Sequence, residues 1–307
     1  MLELPEKFRK NIINRYNEKR IEWLSNLDNV VNKYINKFEL KDVELIKDLS
    51  MNLVIFANSK KYGDVVLKIC APGKTACTEI KVMKKFNISN MVKCYYSNLK
   101  DRVLILERIV PGYSLNNVKE QNDRIKIFCK VLKNYSIPDN NKKEFPSYEE
   151  KLKNTLEYFY SNKIEYSEYN DIIYLVEEMK NLYSEVQKMN LNKYILHNDL
   201  NHKNILKSEN GWKVIDPHGV VGEKLFETAQ FIRGEITINK ANVKEINKIA
   251  SLISKELGKD RILILKFLYI VTVEKIVWFI KVKDNKEVIS NNIDIANEVL
   301  KLVKENE

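Results

Sequence analysis

Residues 194–219 read YILHNDLNHKNILKSENGWKVIDPHG and hold all three histidines of the chain, His197, His202 and His218, together with the carboxylates Asp199 and Asp216. Asn204 lies five residues past Asp199, and Asp216 twelve past Asn204. Asn210-Gly211, set between Ile205-Leu206 and Trp212-Lys213-Val214-Ile215, is a strong hairpin signal. Such a hairpin brings Asn204, where its first strand begins, and Asp216, where its second ends, to one end. An amide and a carboxylate delivered together suit Mg²⁺, which takes few protein oxygens and keeps its other positions for water and phosphate. The order His-x-Asp, Asn, Asp is the one that phosphoryl transfer from a nucleoside triphosphate requires. Asp199 would face the acceptor hydroxyl, and Asn204 and Asp216 would hold the metal against the phosphates. His197 is expected to orient this loop, and His202 to face solvent or a phosphate. Neither has the i, i+4 helical spacing of a zinc motif.

The segments HNDLNHKNIL (197–206) and GWKVIDPHGVVGE (211–223) resemble the HGDLHHGNIL and IDPxGLVGE segments of the aminoglycoside phosphotransferases, most closely the streptomycin 6-phosphotransferase and hydroxyurea phosphotransferase branch. LILERIVPGYSL (104–115) is similar to that family's hinge, and RIEWLSNLDNVVNKYINKFEL (20–40) to the leader before its core. The resemblance implies an α+β, two-lobed protein-kinase-like fold and ATP-dependent phosphorylation of a small-molecule hydroxyl, with streptomycin as the implied acceptor. Two departures stand out. Asn198 occupies a position where the branch has Gly, which alters a turn. Glu227 occupies one where it has Asp, which lengthens a carboxylate expected to brace the catalytic loop.

Around this stretch the chain divides into three expected parts. Residues 1–40 form an N-terminal helical cap, with Phe8, Ile12, Tyr16, Ile21, Trp23, Leu24, Leu27, Val30, Val31 and Tyr34 at roughly helical spacing. Residues 41–110 form a small antiparallel-sheet lobe. Its strands are expected at Val43–Ile46, Leu53–Ala57, Asp64–Ile69, Met91–Tyr95 and Arg102–Ile109, around one helix at Thr75–Phe86. Lys68 and Glu79 then take the places of the strand lysine that contacts the α- and β-phosphates and the helix glutamate that positions it. Ser50 and Asn52, in a turn without glycine, are expected phosphate contacts. The main chain at Glu107 and Ile109, in a hinge at 107–112, is expected to bind adenine.

Residues 113–307 form a mostly helical large lobe that carries the hairpin at 194–219 and the acceptor pocket. A polycationic acceptor needs carboxylates around it. Glu223, Glu227, Glu235, Glu274 and Asp284 are the expected candidates. Asp216 is followed almost at once by a helix expected from Glu223, which leaves little room for the activation segment of a protein kinase. Two further readings stay open at this level: a kinase of a small metabolite alcohol, such as choline or a sugar amine, and a non-catalytic nucleotide-binding regulator.

Composition limits the alternatives. The chain has 307 residues with 44% apolar and 31% charged, an ordinary globular mixture. The formal charge of +10 is concentrated in residues 1–110, which hold 21 Lys+Arg against 13 Asp+Glu, whereas the remainder holds 31 against 29. The excess lacks the aromatic interleaving of a nucleic-acid platform, so no nucleic-acid partner is expected. The apolar stretch from Ile262 to Ile280 contains Lys266, Glu274 and Lys275 and reads as a buried helix, with no membrane partner. Cys70, Cys77, Cys94 and Cys129 show no paired spacing. Without a signal-peptide pattern at the N-terminus, they point to a reduced, cytoplasmic chain. Nothing in the sequence sets an oligomeric state.

Overall fold

The computed structural model describes all residues except 1–3, 15–17, 48, 50, 87, 136, 140–142, 163–168, 170, 240–241 and 306–307. The chain forms two compact units. One comprises Met1–Tyr113 and Leu206–His218, the other Ser114–Ile205 and Gly219–Glu307.

The first unit opens with helices α1 (Glu6–Asn14), α2 (Glu18–Ser25) and α3 (Leu27–Phe38). Strands β1 (Leu40–Leu45), β2 (Leu53–Ser59) and β3 (Gly63–Ile69) follow, then α4 (Lys74–Lys85), β4 (Cys94–Asn98) and β5 (Val103–Glu107). The five strands form one antiparallel sheet in the order β1-β2-β3-β5-β4. Alternation along β2 and β3 turns Leu53, Ile55, Val65 and Leu67 to one face, where they pack with Phe8, Ile12, Trp23, Leu27, Val31 and Tyr34. The N-terminal helices therefore share one core with the sheet and are not a separate cap. The strand expected at 91–95 begins at Cys94 instead. Met91 bridges to Val214 and the Val92 N–H donates to the Val214 carbonyl at 3.0 Å.

This pairing draws in a later segment. Strands β8 (Ile205–Ser208) and β9 (Gly211–Val214) form the hairpin announced by Asn210-Gly211, and with β6 (Pro111–Ser114) they make a three-stranded sheet. The Val214 N–H donates to the Asn90 carbonyl at 2.7 Å, and the Lys213 ammonium reaches both Glu107 oxygens at 2.6 Å. The expected division placed the whole stretch 194–219 in the large lobe. These contacts group 206–218 with the sheet unit instead.

The second unit is built from α5 (Gln121–Asn134), α6 (Tyr148–Ser161), α7 (Ile172–Lys188), α8 (Phe226–Asn239), α9 (Val243–Leu257), α10 (Arg261–Lys281) and α11 (Lys286–Lys304). Short side chains cap several of them: Ser147, Asn242 and Asp260 each accept a backbone N–H of the first turn. Helix α10 is buried along most of its length and packs against α7, α8 and α11. Its charged residues survive burial by pairing: Lys266 reaches Glu185 at 2.8 Å and Glu274 reaches Lys151 at 3.1 Å. Among the described residues no helix is long and apolar enough to cross a membrane. A two-stranded antiparallel sheet of β7 (Lys193–Leu196) and β10 (Val220–Glu223) flanks the loop 197–204. Glu223 thus closes a strand, and the helix expected to start there starts at Phe226.

Candidate active site

In the first unit, three of the expected residues meet. The Lys68 ammonium, 2% exposed, lies 2.7 Å from Glu79 Oε1 and 2.7 Å from Asp216 Oδ1. β3 supplies the lysine, α4 the glutamate, and the chain leaving β9 the aspartate. Burial alone would lower the Lys68 pKa, but the Asp216 and Glu79 carboxylates beside it hold it above its ordinary value. The ammonium is therefore charged. Burial also pushes the Glu79 carboxyl up, against the pull of Lys68 and with the neighbouring Asp216 charge adding to the rise. The second Glu79 oxygen accepts from the Cys70 thiol at 3.6 Å. Asp216 keeps 38% of its side chain exposed. It has φ 61°, a left-handed conformation that Asp tolerates better than most residues. The following segment is tied to α4, where the Thr78 hydroxyl donates to the His218 carbonyl.

The expected nucleotide contacts are less uniform. Asn52 Oδ1 accepts the Ala71 N–H at 3.1 Å and so clamps the start of β2 to the end of β3. Ser50 lies outside the described residues. The Glu107 carboxylate is held by Lys213 and by the Lys93 N–H. The Glu107 N–H donates to the Lys93 carbonyl at 2.9 Å and the Arg108 N–H to Asp64 at 3.3 Å. Next along, at φ 77°, stands Gly112, where a Cβ would come within 2.5 Å of the Ile109 carbonyl oxygen. Only glycine fits that turn.

In the second unit, the loop from His197 to Asn204 is wired internally. Asn204 Nδ2 donates to the Asp199 carbonyl at 2.8 Å and to Asp199 Oδ2 at 2.9 Å, and Asn201 Nδ2 donates to Asp199 Oδ1 at 3.1 Å. With its nitrogen committed to Asp199, the Asn204 amide presents Oδ1 as an acceptor, the atom a hard cation uses. A hard amide oxygen, as on Asn204 in this unit, and a part-exposed carboxylate, as on Asp216 in the first, are each a kind of donor that Mg²⁺ takes. Asn198 has φ 59°, which explains why this position accepts glycine or asparagine in place of most side chains.

Helix α8 carries this loop. Glu227, fully buried, accepts the Asn198 N–H on Oε1 at 2.8 Å. Burial pushes the Glu227 carboxyl up to about 7, with the nearby Asp199 charge contributing and the backbone N–H donors opposing. Two turns on, Glu235 Oε1 lies 2.6 Å from His202 Nε2, and the same carboxylate receives the Arg124 guanidinium at 2.6 and 2.7 Å. Those donors hold the Glu235 carboxyl down at about 2 despite its burial. Between them, Phe231 stacks on the His202 ring at 4.4 Å and on Phe128 at 4.1 Å. Residues 227, 231 and 235 are spaced by one helical turn and therefore share a face. His202 is thus a buried strut and not the solvent or phosphate contact expected of it, because Glu235 and Phe231 claim both its edge and its face. His197 is fully buried with its ring 5.8 Å from that of Tyr135.

The carboxylates expected to hold a cationic acceptor have other engagements. Glu227 and Glu235 brace the loop, and Glu274 is paired with Lys151. Glu223 is buried at the end of β10, with its carboxyl pushed up by burial. Arg124, Phe231 and Arg233 went unread in the sequence. The signal for Phe231 was the i, i+4, i+8 pattern Glu227, Phe231, Glu235 on an otherwise buried helix.

Residues 41–283 match the family model described as aminoglycoside/hydroxyurea antibiotic resistance kinase. No curated protein matches the chain. Among solved structures, it is similar to the choline kinase LicA from Streptococcus pneumoniae, at 13% identity over 91% of this chain and 99% of that one, with a TM-score of 0.63. A choline kinase from Cryptosporidium parvum Iowa II gives 14% identity, 94% and 97% coverage and a TM-score of 0.63. The aminoglycoside phosphotransferase APH(4)-Ia, in a ternary complex with ADP and hygromycin B, gives 10%, 89% and 97%, and 0.60. At such identities the likeness establishes the fold, which is the two-lobed, protein-kinase-like one: an antiparallel-sheet lobe and a helical lobe.

Proposed function

The chain belongs to the aminoglycoside/hydroxyurea antibiotic resistance kinase family, and from that premise we propose that it transfers the γ-phosphoryl group of ATP, bound with Mg²⁺, to a hydroxyl group of a small molecule. The observation that carries this reading is the sharing of Lys68 between Glu79 and Asp216 at 2.7 Å each. A structural ion pair needs one carboxylate. A second one that stays partly exposed suits a lysine that must meet phosphate beside a metal ligand.

Asp199 orients the acceptor hydroxyl and takes its proton as the new O–P bond forms and the bond to ADP breaks. Asn204 keeps Asp199 in place through its amide nitrogen. Asn204 Oδ1 and Asp216 are the ligands for Mg²⁺, which supplies charge neutralisation on the phosphates when bound. Lys68 adds a fixed positive charge. With the Glu107 and Arg108 N–H groups already engaged, Ile109 is the backbone donor for adenine. Glu227 and Glu235 act through the loop and touch no acceptor.

The acceptor has two readings. Membership of the family favours an aminoglycoside such as streptomycin. The engagement of Glu227, Glu235 and Glu274 with internal partners favours an alcohol that is not a polycation, as in a metabolite kinase. The test is an ADP-release assay with streptomycin, hydroxyurea, choline and neutral or acidic sugars side by side. Turnover with at least one of them, above the background of the Asp199→Asn variant, is expected. ADP release with none would replace the enzyme by a non-catalytic nucleotide-binding regulator.

A further inference from the structure

Cys70 directly follows β3 and stands two positions past Lys68. Its N–H donates to the Arg102 carbonyl at 2.8 Å, which carries the pairing of β3 with the β5 side one residue further. The next N–H, of Ala71, goes to Asn52 Oδ1 at 3.1 Å. The main chain is thus fixed on both sides of a fully buried thiol, and two-residue alternation turns that thiol to the same face as the Lys68 ammonium.

Glu79 offers a different oxygen to each of these two residues. Oε1 takes the Lys68 ammonium at 2.7 Å, and Oε2 takes the Cys70 thiol at 3.6 Å. Among the described residues no other side chain donates to this carboxylate. Burial pushes the Cys70 thiol well above its ordinary range, and the Glu79 charge adds to the rise, so the thiol keeps its proton and remains a donor.

The second contact matters because the terminal torsion of a glutamate is broad. A carboxylate held at one oxygen can turn about that torsion and carry its partner with it. Held at both oxygens from one strand, it has a fixed plane. In the reaction proposed above, Asp216 turns to Mg²⁺ and Lys68 to the phosphates, which leaves Glu79 as the protein group that still restrains the lysine. Cys70 is then what restrains Glu79. A thiol is a weak donor, but a bond to an ionised acceptor is stronger than one between neutral groups.

Resting on the phosphotransferase reading, we infer that Cys70 is a positioning residue of the nucleotide site. Its S–H fixes the Glu79 carboxylate, and that carboxylate aims the Lys68 ammonium at the α- and β-phosphates.

Two variants of the full-length protein separate the hydrogen bond from packing. Cys70→Val fills the space of the thiol and donates nothing, whereas Cys70→Ser keeps a donor. Mg-ATP titration, with steady-state kinetics on any acceptor that turns over, supplies the readout. Cys70→Val should raise Kd and KM for ATP about three- to tenfold. kcat should change less, because the α- and β-phosphates are held before transfer as well as during it. Cys70→Ser should stay within about twofold of the unaltered protein. Should circular dichroism show that Cys70→Val does not fold, Cys70→Ala takes its place with the same expectation. Affinity for Mg-ATP that is unchanged in Cys70→Val, or equally weakened in Cys70→Ser, overturns the inference while a weakened Lys68→Ala leaves the kinase reading standing. If Lys68→Ala also binds Mg-ATP normally, the reading of the site fails and the role of Cys70 fails with it. The infrared S–H stretch, isolated as the difference between the unaltered protein and Cys70→Ser, reports the bond itself. It should move to higher frequency in Glu79→Ala, and a band that stays in place overturns donation to Glu79.

Discussion

The two sets of candidate residues are held in opposite ways. Lys68, Glu79 and Asp216 hold one another, charge against charge at 2.7 Å, on a strand, a helix and a hairpin end. Asp199 and Asn204 are held from below by a helix whose Glu227 and Glu235 never approach them as ligands. The first arrangement is fixed by charge and should respond to any substitution that changes it. The second is fixed by backbone geometry, so an isosteric change at Asp199 should leave the loop in place and remove only its chemistry.

The largest expected effect follows from that contrast. Asp199→Asn keeps one of the two side-chain oxygens that accept from Asn201 and Asn204, and the residue 199 carbonyl still accepts from Asn204, but the amide cannot take a proton, so kcat should fall by about 10³-fold or more with ATP affinity kept. Single-turnover kinetics with parallel nucleotide titration measure both, and near-normal turnover would remove the base assignment. Asp216→Ala should do the reverse. It takes away the proposed metal ligand and one of the two carboxylates on Lys68, so Mg-ATP affinity should fall roughly tenfold or more. An unchanged titration would count against the metal role.

Glu235→Gln probes the scaffold. It leaves the buried Arg124 without its carboxylate, and breaking such a pair costs about 3–5 kcal/mol. Thermal denaturation should report that loss. kcat should drop about tenfold while KM for ATP stays, and a fall in ATP affinity instead would mean that the loop is not what Glu235 positions.

The smallest effect concerns pH. The Glu227 carboxyl is raised from an ordinary 4.5 to about 7 by burial, so between those values the folded state binds the extra proton. Its stabilising contribution is complete below about pH 4.5 and is lost as pH rises toward 7, a change of about 3 kcal/mol at most. Denaturant unfolding from pH 5 to 8 should show that decline in the natural protein and a flatter profile in Glu227→Gln. Equal slopes would deny the burial of a titrating carboxyl there.

What could be read in advance divides along the same line. The hairpin, Lys68 and the His-x-Asp loop were legible because each is a local pattern: Asn-Gly between strands, alternating apolar residues, fixed short spacings. β7 and β10 were not, because four-residue strands carry little periodicity and their pairing links Lys193 to Glu223 across the whole segment 197–219. The grip of Glu235 on His202 and Arg124 spans 33 and 111 positions, and nothing near either residue announces it. The helix face at 227, 231 and 235 was the available clue. Only Glu227 reads as a brace from the sequence, because Glu235, taken singly, reads as a ligand.

That face also limits how this protein can change over time. An α-helix turns about 100° per residue, so inserting or deleting one amino acid between Glu227 and Glu235 would swing one grip away while the other stayed in place. The interval of eight can accept substitutions at its outward positions, but not a change of length. A survey of natural variants should find gaps in the loops around α8 and none inside this interval.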